Sequence, residues 1–238
     1  MSGHSKWSKV KHQKAVTDLA RGQAFTKAAH AITVAVREGG GADPESNFRL
    51  RLAIDKARAV NMPKENIASA IERGRSGVAA GIEQIIYEGY GPGGVAVMVE
   101  VTTDNLQRTV AAIKNIFERA GGSLGSPGAV SFLFKRAGVI TVPKQKITLD
   151  ELLAAAIESG AEDVTPQEDM FEIYTQPENL SRVKQKLEEM GITLDNTALI
   201  WRPTTSVAPE AAKRVATERL LVALEDLDDV QAVYANLS

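Results

Sequence analysis

IIYEGYGPGGVAVMVEVT, residues 85–102, admits two folds. Gly89, Gly91 and Gly94 reproduce the spacing G-x-G-x-x-G behind an apolar run, as in the phosphate-binding turn of a dinucleotide fold. That fold needs a helix to start directly after the glycines, because the helix N-terminus holds the pyrophosphate. Here Val95–Val101 follows, with valine at every second position, which is the pattern of a strand. The stretch is therefore predicted to be a β-hairpin turning at 89–94, and no cofactor is expected.

Upstream of the hairpin the periodicity is helical. Leu19, Phe25, Ala28, Ala29, Ile32, Ala35 and Val36 recur at three-to-four spacing between Thr17 and Glu38, and Gly39–Gly41 stop that helix. Asp43 as N-cap and Pro44 as first residue predict a second helix carrying Leu50, Ile54 and Ala57, broken at Asn61, Met62 and Pro63. A third, with Ile67, Ala70 and Ile71, ends near Gly74. Short connections between amphipathic helices make a small bundle.

Downstream, Thr103 and Asp104 are predicted to cap a helix over 105–119, followed by a strand at Ala129–Phe134. Strand Val139–Val142, helix Leu149–Glu158, strands near Asp163 and at Met170–Thr175, helix Glu178–Met190 and strand Thr193–Trp201 then spell βαββαβ, the ferredoxin-like order. A helix at Glu210–Leu224 and a strand at Gln231–Ala235 remain. They would complete the sheet that the hairpin began. The expected fold class is α+β: an N-terminal three-helix domain (1–78) with an extended leader, and two α/β (ferredoxin-like) domains, the second (138–203) inserted into the first (79–137 plus 204–238).

The 238 residues are 44% apolar and 24% charged, enough for a buried core in more than one domain. The absence of cysteine excludes disulfides, a thiol nucleophile and thiolate metal sites. No apolar run approaches the roughly 20 residues of a membrane span, and the basic N-terminus lacks the apolar region of a secretory signal. A cytoplasmic protein is expected. The net charge of −2 conceals an asymmetry. Residues 1–78 hold 14 Lys and Arg against 7 Asp and Glu, whereas residues 138–203 hold 6 against 12. Salt screens charges beyond about 8 to 10 Å, so each domain presents its own field.

GHSKW at 3–7, KHQKA at 11–15, RLRLAIDKA at 49–57, NMPKENI at 61–67, YEGYGPGGVAV at 87–97, TDN at 103–105 with Arg108 and Thr109, and DDVQAVY at 228–234 resemble the YebC family over essentially the whole chain. The resemblance implies three domains, one helical and two α/β, and a non-enzymatic role in gene expression linked to nucleic acid. Bacterial members of that family are described as DNA-binding transcriptional regulators, and mitochondrial relatives as translational activators. A role on the ribosome at proline-rich stretches has also been attached to bacterial members.

The candidate contacts follow from charge. Lys6, Lys9, Lys11 and Lys14 form a leader with no interspersed acid, and Trp7 among them can stack on a base. His4 and His12 have no metal-ligand spacing and are read as hydrogen-bonding or phosphate contacts, so no metal is expected. Arg21 and Lys27 extend the basic surface along the first helix. Arg51 and Arg58 flank Asp55 at helical spacing, whereas Arg49 and Lys56 have no such acid and are the better phosphate candidates. Met62, Pro63 and Lys64 form a turn read as a rigid tip with an exposed methionine. Asn105 and Arg108, at a strand-to-helix junction, are secondary anion candidates. Phe171 and Tyr174 lie on opposite faces of one strand, unlike an RNA-stacking surface. The acidic domain is therefore assigned to protein contacts or spacing.

These features exclude a recognisable catalytic site: there is no nucleophile elbow and no histidine-carboxylate cluster. Two binding roles share the basic domain. An extended basic leader on a helical wedge suits irregular RNA, so a ribosome-associated translation factor that binds rRNA is expected. A regulator of transcription that binds duplex DNA is the alternative. No membrane or small-molecule partner is expected.

Overall fold

The computed structural model describes residues 18–76 and 81–238. It opens with α1 (Asp18–Glu38), α2 (Phe48–Ala59) and α3 (Lys64–Arg75), whose apolar faces meet through Ile32, Val36, Leu50, Ile54, Ile67 and Ala70. Gly74 permits α1 and α3 to touch: a Cβ there would lie 2.7 Å from Val36 Cβ and 2.8 Å from the Thr33 carbonyl oxygen. Thr33 Oγ1 donates to the Ala70 carbonyl across this contact at 3.1 Å.

The start of α2 differs from expectation. Asp43 accepts from Glu45 N at 3.0 Å and makes a turn of its own, and the helix begins behind Asn47. Asn47 Oδ1 accepts from Leu50 N at 3.0 Å, while its Nδ2 donates to the carbonyls of Ala35 (2.8 Å) and Gly41 (2.7 Å) at the end of α1. One fully buried amide thus caps two helix ends, which a carboxylate cannot do because it has no donor. Asn47→Ala is expected to cost about 2 to 3 kcal/mol in a urea titration, the sum of a lost cap and two orphaned carbonyls. Asn47→Asp should be no better, since it sets a charge against those carbonyls. Recovery of stability by the aspartate would show that only the cap matters.

The hairpin forms as read. β1 (Glu83–Gly91) and β2 (Val95–Thr103) pair antiparallel from Glu83 opposite Thr103 to Gly91 opposite Val95. Gly93 and Gly94 in the turn have φ of 81° and 76°, and a Cβ on Gly89 would meet Ser123 O at 2.6 Å. Turn geometry and close packing account for these glycines. α4 (Leu106–Arg119) and β3 (Ser123–Leu124) follow, and β3 pairs with β1. The sheet is completed only near the chain end, where α7 (Ala211–Glu225) leads into β8 (Val230–Ala235) beside β2, giving the order β3-β1-β2-β8.

Between these halves lie β4 (Phe134–Pro143), α5 (Leu149–Ser159), β5 (Asp163–Pro166), β6 (Met170–Thr175), α6 (Leu180–Glu189) and β7 (Asn196–Pro203). They form a second antiparallel sheet in the order β5-β6-β4-β7, the ferredoxin-like arrangement. The strand expected over Ala129–Phe134 is a 3-10 turn at Ser131–Leu133, and β4 starts at Phe134. This places the first strand of the second sheet four residues ahead of Gly138.

The apolar run of β2 is buried on both faces. On one, Val95, Val97 and Val99 meet Ile113 and Phe117 of α4 and Leu220 of α7; on the other, Ala96 and Met98 meet Val130, Phe134 and Trp201. Glu100, the one acid of β2, faces the seam between the sheets. It accepts from Gln84 Nε2 and Tyr234 OH, both at 3.0 Å, with Arg136 at 3.6 Å. Burial, reinforced by the Glu100 charge, holds the Tyr234 phenol protonated far above its usual range, so it remains a donor.

The helical bundle is fastened to both sheets. Leu52, 7% exposed, and Phe48 of α2 pack into the core of the second sheet. Lys184 on α6 lies 3.5 Å from Asp55, and Lys27 Nζ donates to the Glu225 carbonyl at the end of α7.

Candidate nucleic-acid interface

Of the expected contacts, His4, Lys6, Trp7, Lys9, Lys11, His12 and Lys14 lie outside the described residues. Within residues 18–76 the bundle carries ten basic and seven acidic side chains, so four lysines of the leader supply more than half of the basic domain's excess.

The remaining cations divide by what they face. Arg21 is exposed in the first turn of α1, whereas Lys27 is half-buried and donates to the last carbonyl of α7, where the helix dipole favours a cation. Lys27 links α1 to the end of α7. Arg49 does meet an acid, contrary to the expectation from helical spacing: its Nη1 lies 3.7 Å from Glu38 Oε2 at the end of α1, a contact between helices that spacing along α2 does not reveal. Arg58 pairs with Asp55 at 3.7 Å as read, but Arg51 turns away, donating to the Glu45 carbonyl at 3.1 Å with its guanidinium 5.8 Å from the Phe48 ring. Lys184 takes its place beside Asp55. Exposed pairs such as Arg58–Asp55 contribute about 0 to 1 kcal/mol, so these cations can exchange a carboxylate for a phosphate at little cost. Lys56 and Lys64 are exposed.

The tip between α2 and α3 is rigid for a reason that the sequence hides. Asn61 takes φ +59°, Asn61 N donates to Arg58 O and Met62 N to Ala57 O, both at 2.9 Å. This is the Schellman closure of a helix, and its last residue packs back onto the helix. Met62 is accordingly 6% exposed in the bundle core, so the expectation of an exposed methionine is corrected. Pro63 and Lys64 carry the outer surface of the tip, with Pro63 setting the entry to α3 at φ −58°.

At the second junction Asn105 caps α4, accepting from Arg108 N at 3.0 Å, where Thr103 and Asp104 were expected to do so. Thr103 Oγ1 accepts from Asn105 N at 3.0 Å, and Asp104 pairs with Arg108. The Arg108 Nη2 lies 2.9 Å from Asp104 Oδ1 and 3.0 Å from Asp229 Oδ2, and Thr109 Oγ1 donates to Asp229 at 2.6 Å. Burial raises the Asp229 carboxyl, but Thr109 and Arg108 outweigh it and hold it below the usual range. Two carboxylates of the chain itself thus occupy Arg108. The junction ties β8 to the start of α4.

Comparison with known proteins supplies the context. Residues 5–77 match the family model described as the TACO1/YebC protein N-terminal domain, and residues 82–237 match that of the TACO1/YebC second and third domain. A "probable transcriptional regulatory protein" of Chloroflexus aggregans is 51% identical over 100% of this chain and 95% of its own length. A protein of the same description from Persephonella marina is 52% identical over 99% of this chain and 95% of its length. The crystal structure of a conserved hypothetical protein from Aquifex aeolicus superposes with a TM-score of 0.89 at 47% identity, covering 98% of this chain and 97% of that one.

Proposed function

The chain belongs to the TACO1/YebC family and is a regulator of gene expression, and we propose that it acts on the ribosome by holding ribosomal RNA with its basic helical domain. The observation that carries this reading is the segregation of charge, with 14 basic against 7 acidic side chains in residues 1–78 and 6 against 12 in residues 138–203. A polyanion is attracted to the first domain and repelled by the second, so the molecule can bind RNA in one orientation. Leu52, Phe48 and the Lys184–Asp55 pair fasten the bundle to the second sheet, so the cations of α1 to α3 are presented at a fixed angle to it. The role proposed is one of binding, in keeping with the regulatory description of the relatives.

The exposed positions of α3 lack the continuous basic face that would draw a helix between the two backbones of a duplex. A helix that reads the major groove presents donors to base edges between two phosphate backbones. α3 presents Glu65 and Glu72 there alongside Arg73 and Arg75, and Arg75 lies 3.8 Å from Glu72. Titration of the protein against ribosomes, a structured rRNA fragment and duplex DNA at several salt concentrations tests the reading. Ribosomes should bind tightest. Tighter binding of duplex DNA with a sequence preference would replace it with a transcriptional role.

A further inference from the structure

Residues 120–134, AGGSLGSPGAVSFLF, contain no charged side chain, and within them Phe132 is 70% exposed. A single exposed aromatic is ordinary on a protein surface. What sets this one apart is the rigidity of its support. Glu88 of β1, 7% exposed, turns its carboxylate into the loop: Oε1 accepts from Gly128 N at 2.8 Å, and Oε2 from Val130 N at 2.7 Å and Ser131 N at 2.8 Å. Tyr90 OH donates to the Ala129 carbonyl at 2.9 Å, and Thr204 N donates to the Leu133 carbonyl at 2.8 Å. Val130 and Phe134 on either side are buried, at 0% and 6% exposure. The chain therefore fixes the backbone before and after Phe132 and leaves the ring in solvent.

We infer that Phe132 is a stacking platform for one unpaired nucleobase, a second nucleic-acid contact on the middle domain, apart from the basic bundle. The surroundings of the ring choose this ligand over a protein. A protein partner needs an apolar patch of some hundreds of Å² with several anchors. Here the other exposed residues of 120–134 are Gly121, Ser123, Ser126, Pro127 and Gly128, so the stretch offers one exposed flat ring and no second apolar anchor of its size. A base needs only a π-face, and a loop free of acids allows the sugar-phosphate chain to approach closely. A support fixed in advance also removes the ordering cost that a mobile loop would add on binding.

The inference rests on the RNA-binding reading, and its test separates the two. The probe is a short single-stranded RNA carrying 2-aminopurine, whose fluorescence falls when the base stacks. Phe132→Ala should weaken binding by about 5- to 150-fold, the range for removing one base stack, and abolish the quenching. It should leave the thermal melt and the salt dependence of affinity unchanged, since an exposed ring supports no core and releases no counterions. Phe132→Trp should restore both affinity and quenching. Phe132→Leu should restore neither, because it keeps apolar bulk but has no π-face. Rescue by leucine would show apolar docking and overturn the inference. Wild-type binding that Phe132→Ala leaves intact would overturn this contact alone. A wild type that binds no nucleic acid, ribosomes included, would overturn both readings.

Discussion

Replacement of Lys6, Lys9, Lys11 and Lys14 by glutamine is expected to flatten the slope of log affinity against log salt by about 3 to 4 units, at about 0.7 to 0.9 per phosphate contact. Extrapolated from 1 M salt, where counterion release vanishes, to physiological salt, that change amounts to a loss of about a thousandfold in affinity. Stability should barely move, because lysines in a leader without acids contribute little to a fold. Trp7→Ala is the contrast: it should weaken binding while leaving the slope alone, because stacking releases no counterions. An unchanged slope in the quadruple variant would mean that the leader makes no phosphate contact. The charge asymmetry would then point to an acidic protein partner.

The second large effect concerns Glu88. Glu88→Ala leaves the N–H groups of Gly128, Val130 and Ser131 without their acceptor inside a folded loop, at an expected cost of about 4 kcal/mol. Burial pushes the Glu88 carboxyl up, but the three backbone donors outweigh it and hold its pKa below the usual carboxylate range. A depressed folded value means that its contribution is fully present above the ordinary glutamate value of about 4.3 and is lost as the pH falls through the lower folded value. Wild-type protein should therefore lose stability on acidification below that point, and Glu88→Gln should show a flatter acid limb along with lower stability at neutral pH. Parallel acid limbs in the two proteins would show that Glu88 is not the titrating anchor of the loop.

What the sequence discloses and what it withholds divide along the range of the interaction. The hairpin at 83–103 is legible because its valines alternate and its glycines sit where the chain turns, both local properties. The βαββαβ order is legible for the same reason, element by element. Asn47 is not legible as a cap, because its preference over Asp43 comes from the carbonyls of Ala35 and Gly41, which the fold brings to it. Met62 looks exposed beside a proline until the positive φ of Asn61 returns it to the core. Asn before an apolar residue at a helix end is the signal that could have found this closure. At the candidate interface, the leader's charge is plain in the sequence. The partners of Arg49 and Arg108 are not, since Glu38 and Asp229 lie on other elements. The Phe132 platform was missed altogether. Its only sequence signal is the acid Glu88 within an apolar strand, matched to an uncharged, glycine-rich loop some 40 residues on.

The most direct test of the central claim is to crosslink the full-length protein to its ligands in cell extract and sequence the nucleic acid recovered. A ribosomal RNA target predicts reads concentrated at defined positions of rRNA, lost in the four-lysine variant. Reads concentrated on promoter DNA, with rRNA at background, would contradict it.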